Sequence, residues 1–66
     1  MRVTVNGENI EMEKGTTLQK LIDDLKIGEK VMAAAVNMEI VKKERWEEHR
    51  LKEEDRVELL HFVGGG

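Results

Sequence analysis

Met1-Arg2-Val3-Thr4-Val5-Asn6-Gly7-Glu8-Asn9-Ile10-Glu11-Met12, followed after a short break by Gly15-Thr16-Thr17-Leu18, is the stretch on which the fold turns. Met1, Val3 and Val5 alternate with Arg2, Thr4 and Asn6, the period-two pattern of a strand with one buried face. Asn6-Gly7 then supplies the two residues that most readily take the positive φ needed at both centres of a type I′ turn. The chain is expected to return as a second strand over residues 8–13, with Ile10 and Met12 facing Val3 and Val5. Gly15-Thr16-Thr17 breaks the strand pattern, and Thr16 with Gln19 three residues on fits a capping box that opens a helix. Leu18, Leu21, Ile22 and Leu25 follow at i, i+3, i+4, i+7, one apolar stripe opposite Lys20, Asp23, Asp24 and Lys26. Gly28 is the expected C-terminal stop. A hairpin followed by an amphipathic helix puts the apolar stripe of one onto the apolar face of the other.

Val31-Met32-Ala33-Ala34-Ala35-Val36 is a continuous apolar run too short for a comfortable helix, and reads as a strand covered on both faces or nearly so. Asn37-Met38-Glu39 would turn it into Ile40-Val41, a second hairpin in which Val36-Asn37-x-Glu39 echoes the turn chemistry of Val5-Asn6-x-Glu8. Met38 stands where glycine would be easier. Residues 42–54 are almost wholly charged, and a short irregular helix pinned by Trp46 is expected there, the indole serving as a structural anchor. Residues 56–62 read as a last strand with Val57, Leu59 and His61 on one face and Glu58, Leu60 and Phe62 on the other. With Val57 and Leu59 facing the helix, Leu60 and Phe62 are left partly exposed, and in so charged a chain an exposed apolar pair is most naturally a docking surface.

Composition excludes several classes of function. Sixty-six residues make one small domain, which buries only about 60% of its unfolded surface and has little room for a deep catalytic pocket. The absence of cysteine removes disulfides, thiolate nucleophiles and cysteine-based metal sites. A net charge of −3 with 38% charged residues does not suit binding to nucleic acid and suits a basic partner. No apolar stretch approaches the roughly 20 residues that span a bilayer, and the N-terminus is not signal-like, so a cytoplasmic protein is expected. Asp23-Asp24 and Glu53-Glu54-Asp55 read as solvated charge runs, with no spacing that makes a metal site. His49 and His61 read as structural or solvated groups.

The chain closes on Val63-Gly64-Gly65-Gly66. Glycine has no Cβ, so such a tail can extend through a narrow channel and present its carboxylate in a partner's active site. A carboxylate is ionised at neutral pH and is a poor electrophile until activated, for example as an adenylate. Read alone, the tail is equally compatible with an inert, frayed end.

In order and spacing, Val5-Asn6-Gly7, Gly15-Thr16-Thr17-Leu18, residues 35–41, Trp46, Asp55-Arg56-Val57-Glu58 and His61-Phe62-Val63-Gly64-Gly65-Gly66 make a chain that resembles the ubiquitin-like β-grasp sulfur carriers, and among them the thiamine-biosynthesis branch. The resemblance implies an α+β fold, a mixed sheet of four to five strands packed on one helix, with a β-grasp domain over residues 1–62 and a flexible, extended tail over 63–66. It further implies that an adenylyltransferase related to the ubiquitin activators uses ATP and magnesium to adenylate the carboxylate of Gly66. A persulfide donor would then supply sulfur, and the resulting thiocarboxylate would pass it to a thiazole synthase. Val63, Gly64 and Gly65 would extend the tail, while Leu60 and Phe62 would dock the partners. The protein would be a carrier substrate, monomeric when free, with no catalytic side chain and no cofactor of its own. Two alternatives share the tail: a carrier for molybdopterin or tRNA thiolation, and a modifier joined to lysines. The short chain and the lack of proline before the glycines favour the thiamine branch.

Overall fold

Asn6 and Gly7 take φ of 47° and 88°, and around them the chain folds back on itself as expected of a type I′ hairpin. In the computed structural model, which describes residues 1–61, the hairpin strands are β1 (Arg2–Val5) and β2 (Glu8–Glu11), with Val5 opposite Glu8 and Val3 opposite Ile10. The return strand is two residues shorter than the alternation suggests. Met12 still packs against the core and is held by backbone bonds to Met1 at 2.7 and 2.8 Å.

The helix α1 spans Leu18–Asp24 and buries Leu18, Leu21 and Ile22, the expected stripe. Its cap lies one residue later than the spacing indicates: Thr17 Oγ1 accepts from Lys20 N–H at 3.1 Å, whereas the Thr16 hydroxyl donates to Glu13 C=O at 2.6 Å and Gln19 bonds Asp23. The reason is tertiary. Thr16 C=O accepts from Leu51 N–H and Leu18 N–H donates to His49 C=O, an antiparallel bridge at Thr17 and Arg50 that keeps residue 16 out of the helix. Nor does Gly28 end the helix. Lys26 takes the left-handed conformation at φ 59°, its N–H donating to Asp23 C=O at 3.0 Å, while Gly28 opens a 3₁₀ turn. On the solvent face Lys20 meets Asp24 at 3.0 Å, and the hydrogen bond and charge of Asp24 raise the lysine pKa. The contribution of this exposed pair is full below the ordinary lysine range and is lost as pH rises through the raised value.

β3 (Val31–Val36) turns at Asn37-Met38 into the two-residue β4 (Glu39–Ile40), and β5 is Arg56–His61. The five strands are ordered β2-β1-β5-β3-β4, and the sheet is mixed because β1 runs parallel to β5 while the other pairs are antiparallel. Val3, Val5, Ala34, Val36, Val57 and Leu59 face α1 and form the core with Trp46 and Leu51. Over residues 42–54 the expected helix reduces to one 3₁₀ turn at Lys43–Arg45. Trp46 behind it is only 2% exposed and donates Nε1–H to Val41 C=O at 2.9 Å.

Met38 sits at φ 70° with its side chain almost wholly in solvent. A side chain with Cβ pays about 1–2 kcal/mol in this region, and Met38 recovers none of it through burial. Met38→Gly is therefore expected to stabilise the domain by about 1 kcal/mol, raising Tm by roughly 4–8 °C in a thermal melt. An unchanged or lowered Tm would mean that the turn bears no strain.

Candidate functional site at the tail-bearing strand

β5 is the central strand of the sheet and the one from which the glycine tail continues, so its environment fixes where the tail starts. Val57 and Leu59 point inward, at 1% and 6% exposure, while Leu60 points outward at 60%. This is the expected division of faces. Leu60 lies beside Ala33, Glu58 beside Ala35, and Ile40 beside Ala35 on the far side. Together they floor a shallow groove of about 350 Å³ on the side of the sheet away from the helix. The expectation that β3 is covered on both faces fails here. Only its inward side is covered, because one helix of seven residues serves one face of the sheet, and the small Ala33 and Ala35 leave the other face open around Leu60.

Two asparagines hold β5 in place. Asn6 N–H donates to Val57 C=O at 2.9 Å. Its side chain then takes both backbone groups of Leu59, Oδ1 accepting from N–H at 2.8 Å and Nδ2 donating to C=O at 3.2 Å. On the other flank Asn37 Oδ1 accepts from Arg56 N–H at 3.0 Å, and its Nδ2 donates to Asp55 at 2.9 Å. The echo between Val5-Asn6-x-Glu8 and Val36-Asn37-x-Glu39 thus has a structural meaning: each turn uses its asparagine to grip the strand between them. Asp55, expected in a solvated run with Glu53 and Glu54, is instead buried at 4% exposure. Its second oxygen accepts from Lys52 N–H at 2.7 Å, which satisfies a buried charge through hydrogen bonds.

Of the residues singled out in the sequence, Leu60 is exposed in this groove, whereas Phe62, Val63, Gly64, Gly65 and Gly66 lie outside the described residues. His61 is half-buried at the end of β5. His49 is remote from it in sequence and takes part through its carbonyl in holding the start of α1. Among the described residues no group of three or more His, Asp or Glu side chains is placed to hold a metal ion, and no helix is long and apolar enough to cross a membrane. The outer face of the sheet presents a shallow, mainly apolar groove around Leu60, next to the last described residues of β5.

Known proteins share both sequence and fold with this chain. The sequence profile of the ThiS family matches residues 3–66. The sulfur carrier protein ThiS of Bacillus subtilis is 38% identical over 63 residues, 94% of this chain and 96% of that protein. A thiazole synthase of Magnetococcus marinus is 35% identical over all 66 residues, and the chain spans only 20% of that larger protein. The crystal structure of the thiamine biosynthesis protein ThiS from Geobacter metallireducens superposes with a TM-score of 0.82 at 31% identity, covering 100% of both chains. The five-stranded mixed sheet packed on one helix is the β-grasp arrangement, and with the match extending from Val3 to the last glycine the chain belongs to the ThiS family of sulfur carrier proteins.

Proposed function

We propose that this chain carries sulfur for thiazole formation in thiamine biosynthesis, as a thiocarboxylate on Gly66. The observation that carries this reading is that the ThiS profile runs from residue 3 through Gly66, so that body and tail match the carriers as one unit. In the proposed cycle a carboxylate oxygen of Gly66 attacks the α-phosphorus of ATP in an activating enzyme of the ubiquitin-activator type, giving an acyl-adenylate and releasing pyrophosphate. The terminal sulfur of a persulfide attacks the acyl carbon and AMP leaves. Reduction of the resulting S–S bond by a thiol leaves the sulfur on Gly66. The acceptor is a thiazole synthase, a choice supported by the relative of that name, part of which aligns with this whole chain.

The chain's own part in this cycle is to be recognised and to deliver. Leu60 and Phe62 dock the partners, Val63 and Gly64 extend the tail, and Gly65 keeps the approach narrow because it has no Cβ to obstruct a channel. No side chain of this protein moves a proton or attacks a bond, and the magnesium and ATP belong to the activating enzyme. The free protein is a monomer of the cytoplasm, where thiols are kept reduced.

The experiment is reconstitution with an activating enzyme, an isotopically labelled persulfide sulfur source and a thiazole synthase with its other substrates. The label is expected in the thiazole product. Label that bypasses the thiazole and passes instead to a molybdopterin precursor or a tRNA base, or the appearance of lysine-linked adducts of Gly66, would replace this reading by another use of the same tail. Leu60→Asp is expected to raise KM for the activating enzyme about tenfold or more while the domain stays folded, because it sets a charge in the centre of the apolar landing surface. An unchanged KM would place the docking surface elsewhere.

A further inference from the structure

Strand β1 pairs with β5 at only two positions, Thr4 with Arg56 and Val5 with Val57, and then leaves the sheet at the Asn6-Gly7 turn. β5 runs on for four more residues to His61. On its other side β3 accompanies it to the end, but the register there shifts between Val31 and Ala33, opposite the last residues of β5. The strand is thus gripped least regularly where the tail departs. The Asn6 carboxamide fills this gap. A carboxamide offers one acceptor and one donor like a peptide group, and with bonds of 2.8 and 3.2 Å to Leu59 it prolongs the parallel ladder beyond the end of β1.

We infer that Asn6 is a positioning residue for the sulfur-carrying terminus: by clamping the backbone of Leu59 it fixes both the outward direction of Leu60 and the point from which the tail enters a partner. This inference rests on the sulfur-carrier reading. Leu59 immediately precedes the exposed Leu60, so one clamp sets the landing surface and the root of the tail together. Without it, the exit end of β5 must be ordered at each encounter, and that cost appears in binding. Asn37 provides the comparison. It is also a turn asparagine at positive φ bonded to β5, but it holds Arg56 and Asp55, at the entry end away from the tail.

The test measures pyrophosphate release by the activating enzyme with the full chain as varied substrate. Wild type is compared with Asn6→Gly, Asn6→Asp and Asn37→Gly. Glycine keeps the positive-φ turn and removes the clamp; aspartate keeps the acceptor for Leu59 N–H and loses the donor. Asn6→Gly is expected to raise KM about 5- to 30-fold, the equivalent of reordering one residue's backbone, with kcat within about twofold. Asn6→Asp should fall between it and wild type, and Asn37→Gly should lower the melting temperature while leaving KM unchanged. In the free protein, amide exchange at Leu59–His61 should accelerate in Asn6→Gly and not in Asn37→Gly. A wild-type KM for Asn6→Gly, or an equal rise for Asn37→Gly, overturns the inference and leaves the carrier reading standing. If Asn6→Gly is unfolded by circular dichroism, Asn6→Asp decides by the same KM comparison. A wild-type chain that no activating enzyme adenylates removes the carrier reading, and the inference with it.

Discussion

Deletion of Gly65 and Gly66 is expected to reduce sulfur uptake to background while leaving the fold intact. Two extended residues span up to about 7 Å, so in the proposed cycle the shortened chain, docked through the same surface, would hold its carboxylate that far from the reacting phosphorus. A misplacement of about 1 Å can already cost roughly 100-fold in rate, and the deletion exceeds it several times over. Every strand and helix described ends at or before His61, and far-ultraviolet circular dichroism checks that these elements persist. Stability should change by no more than about 0.5 kcal/mol, as for surface changes away from the core. Residual transfer above a tenth of the wild-type rate would mean that the terminal carboxylate is not the reacting group.

Trp46→Ala is expected to have the largest effect on stability, about 3–5 kcal/mol. The indole is 2% exposed and is the largest of the fully buried side chains. Without it, residues 42–54 lose the one large group that ties a charged connection to the core, since beyond it only Leu51 is buried there. The Val41 carbonyl also loses its donor. A domain of this length has a total stability of roughly 3–10 kcal/mol, so the variant should lose about a third of it or more. Trp46→Phe, which keeps an aromatic ring and loses the N–H, should cost less and remain folded. Urea denaturation followed by circular dichroism measures both, and a loss below about 1 kcal/mol for the alanine variant would contradict the anchoring role.

The parts of this fold legible in the sequence are those decided by local chemistry. Asn6-Gly7 made a hairpin because few other dipeptides take positive φ twice, and the stripe Leu18, Leu21, Ile22 marked its own buried face. The exposure of Leu60 followed from strand alternation once Val57 and Leu59 were assigned to the core. What local pattern could not supply was set by pairing across the chain. Thr16 and Thr17 are equivalent as caps until residues 49–51 bond alongside residues 16–18 and settle which one starts the helix. Asp55 is indistinguishable in sequence from Glu53 and Glu54, and only the approach of Asn37 and of Lys52 N–H makes it a buried organiser of the β5 entry. The alanine run of β3 suggested burial on both faces, but alanine is small enough to floor an open groove as well. The asparagine grips had a visible signal, the repeated Val-Asn-x-Glu, whose turn chemistry was readable and whose reach to β5 was not. The glycine tail lies outside the described residues, and its role rests on the sequence and on the family match through Gly66.

In the proposed cycle everything depends on Gly66 carrying the sulfur. Intact-mass measurement after incubation with an activating enzyme, ATP, magnesium and a persulfide donor, followed by a thiol-reactive alkylating reagent, tests it most directly. The alkylation step is needed because exchanging oxygen for sulfur adds nearly the same mass as oxidising one of the four methionines. In a chain without cysteine the reagent has no thiol to modify until a thiocarboxylate is made. One alkyl group per chain is expected, dependent on ATP and mapping to Gly66. Absence of alkylation across several activating enzymes, or an adduct mapping elsewhere in the chain, would overturn the assignment of the sulfur to Gly66.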